Sequence, residues 1–190
     1  MSLPARVINL TVEEYLEMEA ESPVRHEYVA GQTFAMAGAS DAHNIIAGNI
    51  FTIIRSVLRG SGCRVCLAEM KAWVEEINAF YYPDVMATCE PFDPKSVFKS
   101  RPFLIVEVLS PSTMSTDRRE KLSAYGQLDS VREYVVVYQD RRRLEVHRKD
   151  TQGVWLTVVL GENDELRLDS LPTGPLTMKM DEIYEDVTFV

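Results

Sequence analysis

Glu107 lies in the run "PFLIVEVLS", where its neighbours on both sides are apolar. Side chains alternate along a strand. Leu104, Val106 and Val108 would therefore share one face, and Phe103, Ile105, Glu107 and Leu109 the other. Both faces are apolar apart from Glu107, which predicts a central strand covered on both sides. A bare carboxylate in such a place is costly, so it must be protonated, paired with a cation or bound to a metal. Earlier in the chain, "YYPDVMATC" sets Asp84 directly after Pro83. If that run is a neighbouring strand, Asp84 and Glu107 make a pair of oxygen donors. Such a pair suits Mg²⁺ or Mn²⁺, which take oxygen ligands and keep several waters. Two plainer readings stand beside this one. Glu107 could be a salt-bridge partner, and Pro83-Asp84 could simply start a turn.

The elements that must hold these residues can be read from the pattern around them. "TVEEYLEME" carries Thr11 with Glu14 three residues on, a capping box that starts a short helix. "HEYVAGQTFAMAG" reads as two short strands about Ala30-Gly31. "SDAHNIIAGNIFTIIRSVLRGSG" is the clearest helix, capped by Ser40 or Asp41, with Ile46, Ile50, Ile53, Ile54, Val57 and Leu58 at helical period. "CRVCLAEMKAWVEE" is two strands or one bent strand. A helix over roughly 117–128 follows, with Asp117 as cap and Leu122, Tyr125 and Leu128 as its apolar stripe. "REYVVVYQ" and "RRLEVHRK" form a hairpin, "GVWLTVVL" is a further strand, and "MKMDEIYEDV" closes as a short helix. The order predicts an α/β fold, a mixed central β-sheet flanked by helices, in a single domain over 1–190.

Composition narrows the function. The 190 residues carry a net charge of −9, against a large basic face for nucleic acid, although a metal neutralises clustered carboxylates locally. Basic residues do gather at Arg118-Arg119 and at Arg141-Arg142-Arg143. No apolar run has the ~18 residues of a membrane span, and the N-terminus shows no secretory pattern. Cys63, Cys66 and Cys89 are an odd count, which predicts buried thiols and a reducing, cytoplasmic location rather than a disulfide scaffold. The lone Cys63-Arg-Val-Cys66 lacks the second ligand pair that zinc requires. No GxxxxGK loop is present, which speaks against nucleotide hydrolysis.

Taken in order, "TVEEYLEM", "RHEYVAGQ", "YYPDVMATC", "PFLIVEVLSPST", "DRREKLSAYGQL", "REYVVV" and "DEIY" resemble the Uma family of "putative restriction endonucleases", within the PD-(D/E)XK nuclease-like superfamily. The resemblance spans nearly the whole chain. It implies a restriction-endonuclease-like core of order α-β-β-β-α-β with extra strands. It implies a Mg²⁺- or Mn²⁺-dependent endonuclease acting on nucleic acid, DNA foremost. Asp84 falls on the aspartate of the motif, Glu107 on its second acid, and the Val108 carbonyl becomes a further metal ligand. Glu27 matches another acidic position, an added ligand or ordinary surface charge. The motif's lysine position is occupied by Leu109, a departure from the superfamily pattern. The resemblance implies that the lysine has moved to the following helix, where Lys121 matches; Lys71 is a lesser candidate. Asp117, Lys121 and Tyr125 would share one helical face, although Asp117 can merely cap and Lys121 can merely be solvated. His43 could bond a phosphate or simply cap its helix.

In this reading Arg118, Arg119, Arg141, Arg142 and Arg143 hold the nucleic-acid backbone. Cutting both strands of a duplex is easiest with two sites about a two-fold axis. A homodimer is therefore expected, with the C-terminal strands around Trp155 as its interface unless Trp155 is core. The alternative function is a nuclease-like fold that binds nucleic acid or a partner without cutting.

Overall fold

The computed structural model describes residues 9–109 and 117–189, and of residues 117–119 the backbone alone. The chain begins with helix α1 (Val12–Glu21), the hairpin β1 (His26–Val29) and β2 (Gln32–Ala35), and helix α2 (Asp41–Leu58). Strands β3 (Arg64–Leu67), β4 (Lys71–Val74), β5 (Ala79–Tyr81), β6 (Val85–Thr88), β7 (Phe98–Lys99) and β8 (Pro102–Leu109) follow. Helix α3 (Asp117–Gly126) leads to β9 (Glu133–Tyr138), β10 (Leu144–Lys149), β11 (Trp155–Leu160), β12 (Glu165–Leu168), β13 (Leu176–Lys179) and the short α4 (Met180–Ile183).

Local chemistry explains the starts and stops. The Thr11 hydroxyl accepts from the Glu14 N–H at 3.2 Å, and Glu14 Oε2 accepts from the Thr11 N–H at 2.8 Å, which completes the capping box of α1. Ser40 caps α2 by accepting from the His43 N–H. Ile46, Ile50, Ile54 and Leu58 recur every four residues on α2 and are buried together. Between β1 and β2 the chain reverses through Ala30 and Gly31, both at positive φ, and Gly31 tolerates that without strain.

The strands form a six-stranded sheet of order β11-β10-β9-β8-β6-β3, a five-stranded sheet of order β2-β1-β5-β4-β7, and the separate hairpin β12-β13. The expected central sheet is thus the six-stranded one, and a second mixed sheet stands beside it. Pro83 marks the division. β5 ends at Tyr81 and β6 begins at Val85, and they belong to different sheets. In the main sheet β8 is interior, antiparallel to β6 and parallel to β9. Leu104, Val106 and Val108 join the core beneath α2, while Ile105 and Leu109 join Ala124, Tyr125 and Leu128 of the α3 side. Through the main sheet the order α2-β3-β6-β8-α3-β9 is α-β-β-β-α-β.

One expectation is corrected. Cys63 and Cys89 form a disulfide, and only Cys66 is a free thiol. The register explains the pairing. β3 and β6 run antiparallel with Arg64 opposite Thr88, so the next residues outward, Cys63 and Cys89, face each other. The bridge fastens the edge strand β3 to β6. With two of the three cysteines bonded, their number no longer argues for a reducing compartment.

Candidate active site

Asp84 and Glu107 are brought together by strand register. Val85 pairs with Val106 across β6 and β8. One step further, beyond the end of β6, the same register sets Asp84 opposite Glu107. Residues opposed in this way project from the same face with Cβ atoms about 4.5–5.5 Å apart. Both side chains are buried, Glu107 at 6% exposure and Asp84 at 9%. Each oxygen of Asp84 is engaged. Oδ2 accepts from the Val108 N–H at 2.7 Å, and Oδ1 lies 2.8 Å from His43 Nε2 at the start of α2. Val108 thus touches the site through its N–H, whereas its carbonyl was the group expected to serve as a ligand.

Two residues of α3 reach Glu107 from above. The Tyr125 hydroxyl donates to Glu107 Oε1 at 2.7 Å. Lys121, four residues earlier and so one turn away on the same helical face, places its Nζ 3.4 Å from the same oxygen. That ammonium also stands 2.9 Å from Glu27 Oε1 on β1. Leu109 occupies the position where the motif has a lysine, and it packs into the apolar core beneath α3. The cation therefore enters from the helix and not from the strand. Asp117, the third member of that helical face, has its side chain outside the described residues.

Burial is the main reason that the Glu107 carboxyl is pushed up to about 8. Lys121 opposes the rise, Asp84 and Glu27 add to it, and the Tyr125 hydrogen bond opposes it. Glu27 thus acts on the same group as Asp84 does. Tyr81 closes the floor, with its ring 5.9 Å below the Lys121 ammonium and its hydroxyl donating to Glu120.

The oxygen donors seen here are carboxylates, the hard ligands that Mg²⁺ and Mn²⁺ accept. Among the described residues, no three of Asp, Glu, His and Cys converge closely enough to enclose an ion by themselves. The fit is thus to an ion that retains waters, not to a closed protein cage. The raised Glu107 carboxyl supports it, since a buried acid among other acids gains from a neighbouring cation.

Other sequence-expected residues fall elsewhere. Lys71 is buried on β4, 5.2 Å from the Tyr82 ring, and its charged neighbours are Glu19 and Arg25, so it does not take the missing lysine's place. Arg141, Arg142 and Arg143 sit in the β9–β10 turn. Tyr138 at the end of β9 pairs with Leu109 at the end of β8, so this turn borders the carboxyl end of the strand that carries Glu107. Arg141 lies over Tyr138 at 4.7 Å, Arg142 is paired with Asp181, and Arg143 is 3.8 Å from Glu145. The side chains of Arg118 and Arg119 are outside the described residues. His43 was read from sequence as a cap or a phosphate ligand. Its contact with Asp84 spans 41 positions and has no local signature.

A model of the Uma2 family, described as "Putative restriction endonuclease", matches residues 12–179, and the chain belongs to that family. It is similar to the uncharacterized protein slr1290 of Synechocystis sp., with 34% identity over 95% of this chain and 94% of that one. It is also similar to sll1609 of the same organism, with 31% identity over 83% of this chain and 91% of that one. In fold it matches a crystal structure described as a putative nuclease belonging to DUF820 from Anabaena variabilis. The TM-score is 0.76 at 17% identity, over 94% of this chain and 99% of the other. The fold is therefore nuclease-like, as the α-β-β-β-α-β order implied.

Proposed function

We propose that the protein is a metal-dependent endonuclease that hydrolyses phosphodiester bonds of DNA. One observation carries the reading: Lys121 of α3 stands within 3.4 Å of Glu107 and 2.9 Å of Glu27, beside an Asp84 held by the Val108 N–H. Lys121 there spans Glu107 and Glu27, and the β6–β8 register sets Asp84 opposite Glu107. Mg²⁺ or Mn²⁺ would be held by Asp84, Glu107, the Val108 carbonyl and Glu27, and when bound would supply an acidified water and polarise a phosphoryl oxygen. The Val108 N–H and His43 keep Asp84 in one orientation. Tyr125 does the same for Glu107. Lys121 places a fixed positive charge where negative charge builds up on the phosphoryl oxygens. Arg118, Arg119 and Arg141–Arg143 would meet backbone phosphates, contacts that position DNA without reading its sequence. A DNA substrate puts this work in the cytoplasm. No described helix is long and apolar enough to cross a membrane.

The test is nicking of supercoiled plasmid with Mg²⁺ or Mn²⁺. Wild type is expected to cut and Glu107→Ala to lose both cutting and Mn²⁺ binding by calorimetry. A second reading, binding without cleavage, draws on Leu109 in the motif's lysine position and on the net charge of −9. Retained Mn²⁺ and DNA binding with no cutting of duplex or single-stranded DNA would favour it.

A further inference from the structure

The row of residues that carries Glu27 continues from the candidate site to the surface. β1 and β2 pair with Glu27 opposite Phe34. On its other side β1 pairs with β5, where Tyr28 opposite Phe80 sets Glu27 opposite Tyr81 one step further. Residues opposed across a sheet project from the same face. Phe34, Glu27 and Tyr81 therefore stand in one row, on the face that meets Lys121. That ammonium lies 2.9 Å from Glu27 and 5.9 Å from the centre of the Tyr81 ring. β2 ends its sheet, so Phe34 is the outermost of the three. The Glu27 side chain is 17% exposed, whereas Phe34 is 52% exposed. A phenyl ring thus sits at the lip of the site, one strand spacing of about 4.8 Å from one of its acids.

The same ring is uncovered. Phe34, Phe92 and Phe189 are the exposed aromatic residues among the described ones. The Arg64 guanidinium covers Phe92 at 5.0 Å, and Phe189 meets Tyr184 edge-on at 5.5 Å. No ring or cation among the described residues lies on Phe34.

We infer that Phe34 stacks on an unpaired nucleobase beside the phosphate that is cut, and that the substrate is single-stranded DNA. The inference rests on the nuclease reading and narrows it. Three observations carry it. With a net charge of −9 the protein has little positive surface with which to hold a polyanion, and stacking needs none, because every base has a π-face. The carboxylates are recessed, so the strand must bend inward to reach them, which a single strand does far more readily than a stiff duplex. The bases of a duplex are also already stacked on one another, and taking one out is least costly where it is unpaired. Phe34 is therefore a substrate-binding residue, and its contact is one that salt does not screen.

The test compares Mn²⁺-dependent cutting of a single-stranded oligonucleotide with that of the blunt duplex of the same sequence. The single strand should be cut at least about tenfold faster. On it, Phe34→Ala should raise KM by roughly 5–150-fold, the worth of one stacked base, and should affect KM more than kcat. The factor should be the same between about 50 and 200 mM salt, unlike the loss of a phosphate contact. Phe34→Trp should keep the wild-type KM, whereas Phe34→Leu, apolar but not aromatic, should behave like Phe34→Ala. Equal or faster cutting of the duplex overturns the inference, and so does a KM that Phe34→Ala or Phe34→Leu leaves unchanged. A Phe34→Trp variant as weak as Phe34→Ala overturns it too. All three of those results leave the nuclease reading standing. Cutting of neither oligonucleotide overturns that reading, and the inference with it.

Discussion

Glu107 is pulled in two directions, which makes it the most informative single residue. Burial favours its neutral form, and Lys121 favours its charged form. The net rise to about 8 means that the folded protein holds a proton which the unfolded chain releases near pH 4.5. That proton stabilises the fold fully below the unfolded value, and the contribution disappears as pH climbs to about 8. Apo wild type should therefore lose stability between pH 4.5 and 8 in urea titrations, and Glu107→Gln should remove that slope while abolishing Mn²⁺ affinity. A slope of the same size in both proteins would refute this assignment. His43 bears on the neighbouring acid. Groups that orient a metal-binding carboxylate are worth roughly 10–100-fold in affinity, so His43→Ala should weaken Mn²⁺ binding by about that much. His43→Gln keeps an N–H donor and should recover most of it. Equal affinity in all three proteins would leave the Asp84 contact without a role in metal binding.

At the scale of elements, the proposed function gives α3 the work that a strand does in the ordinary motif. It lies over β8 so that Tyr125 and Lys121 reach Glu107, while Leu109 packs under Ala124, Tyr125 and Leu128. Lys121→Ala should leave Mn²⁺ binding nearly intact and slow plasmid cleavage by about 10²–10³-fold, the usual cost of one preorganised charge-stabilising donor. Adding Leu109→Lys to that variant should not restore cutting. It would place an ammonium in an apolar cluster, at a cost in stability that thermal unfolding would register. Full rescue by Leu109→Lys would show that the strand position still serves the site.

At the scale of the molecule, the proposed function requires an acidic protein to hold an acidic polymer. Of the turn arginines, Arg142 is paired with Asp181 and Arg143 lies close to Glu145, whereas Arg141 is more exposed and, among the described residues, has only Asp140 as an ion-pair neighbour, 3.7 Å away. Arg141 is thus the one in this turn best placed to displace counterions from DNA. Arg141→Ala should reduce the slope of log K against log[salt] by about one and weaken binding alike for all sequences. Fluorescence anisotropy over a salt series measures this, and an unchanged slope would place the phosphate contacts elsewhere.

The sequence alone determined whatever depends on near neighbours. The Thr11–Glu14 capping box, the Ala30-Gly31 turn, the isoleucine stripe of α2 and the two apolar faces of β8 were legible because each is a pattern over a few residues. Glu107 was conspicuous for the same reason, Asp84 followed as its companion on a neighbouring run, and the family resemblance supplied Lys121. What long-range register decided was not legible. β4 and β5 left the main sheet to pair with β1 and β7. Cys63 found Cys89, 26 positions away. His43 met Asp84, and β11 fell at the end of the main sheet, with Trp155 half-buried at its start. Each of these depends on which strands align and by how many residues. That choice is made by packing energy summed over the whole core, and no local stretch of chain carries it.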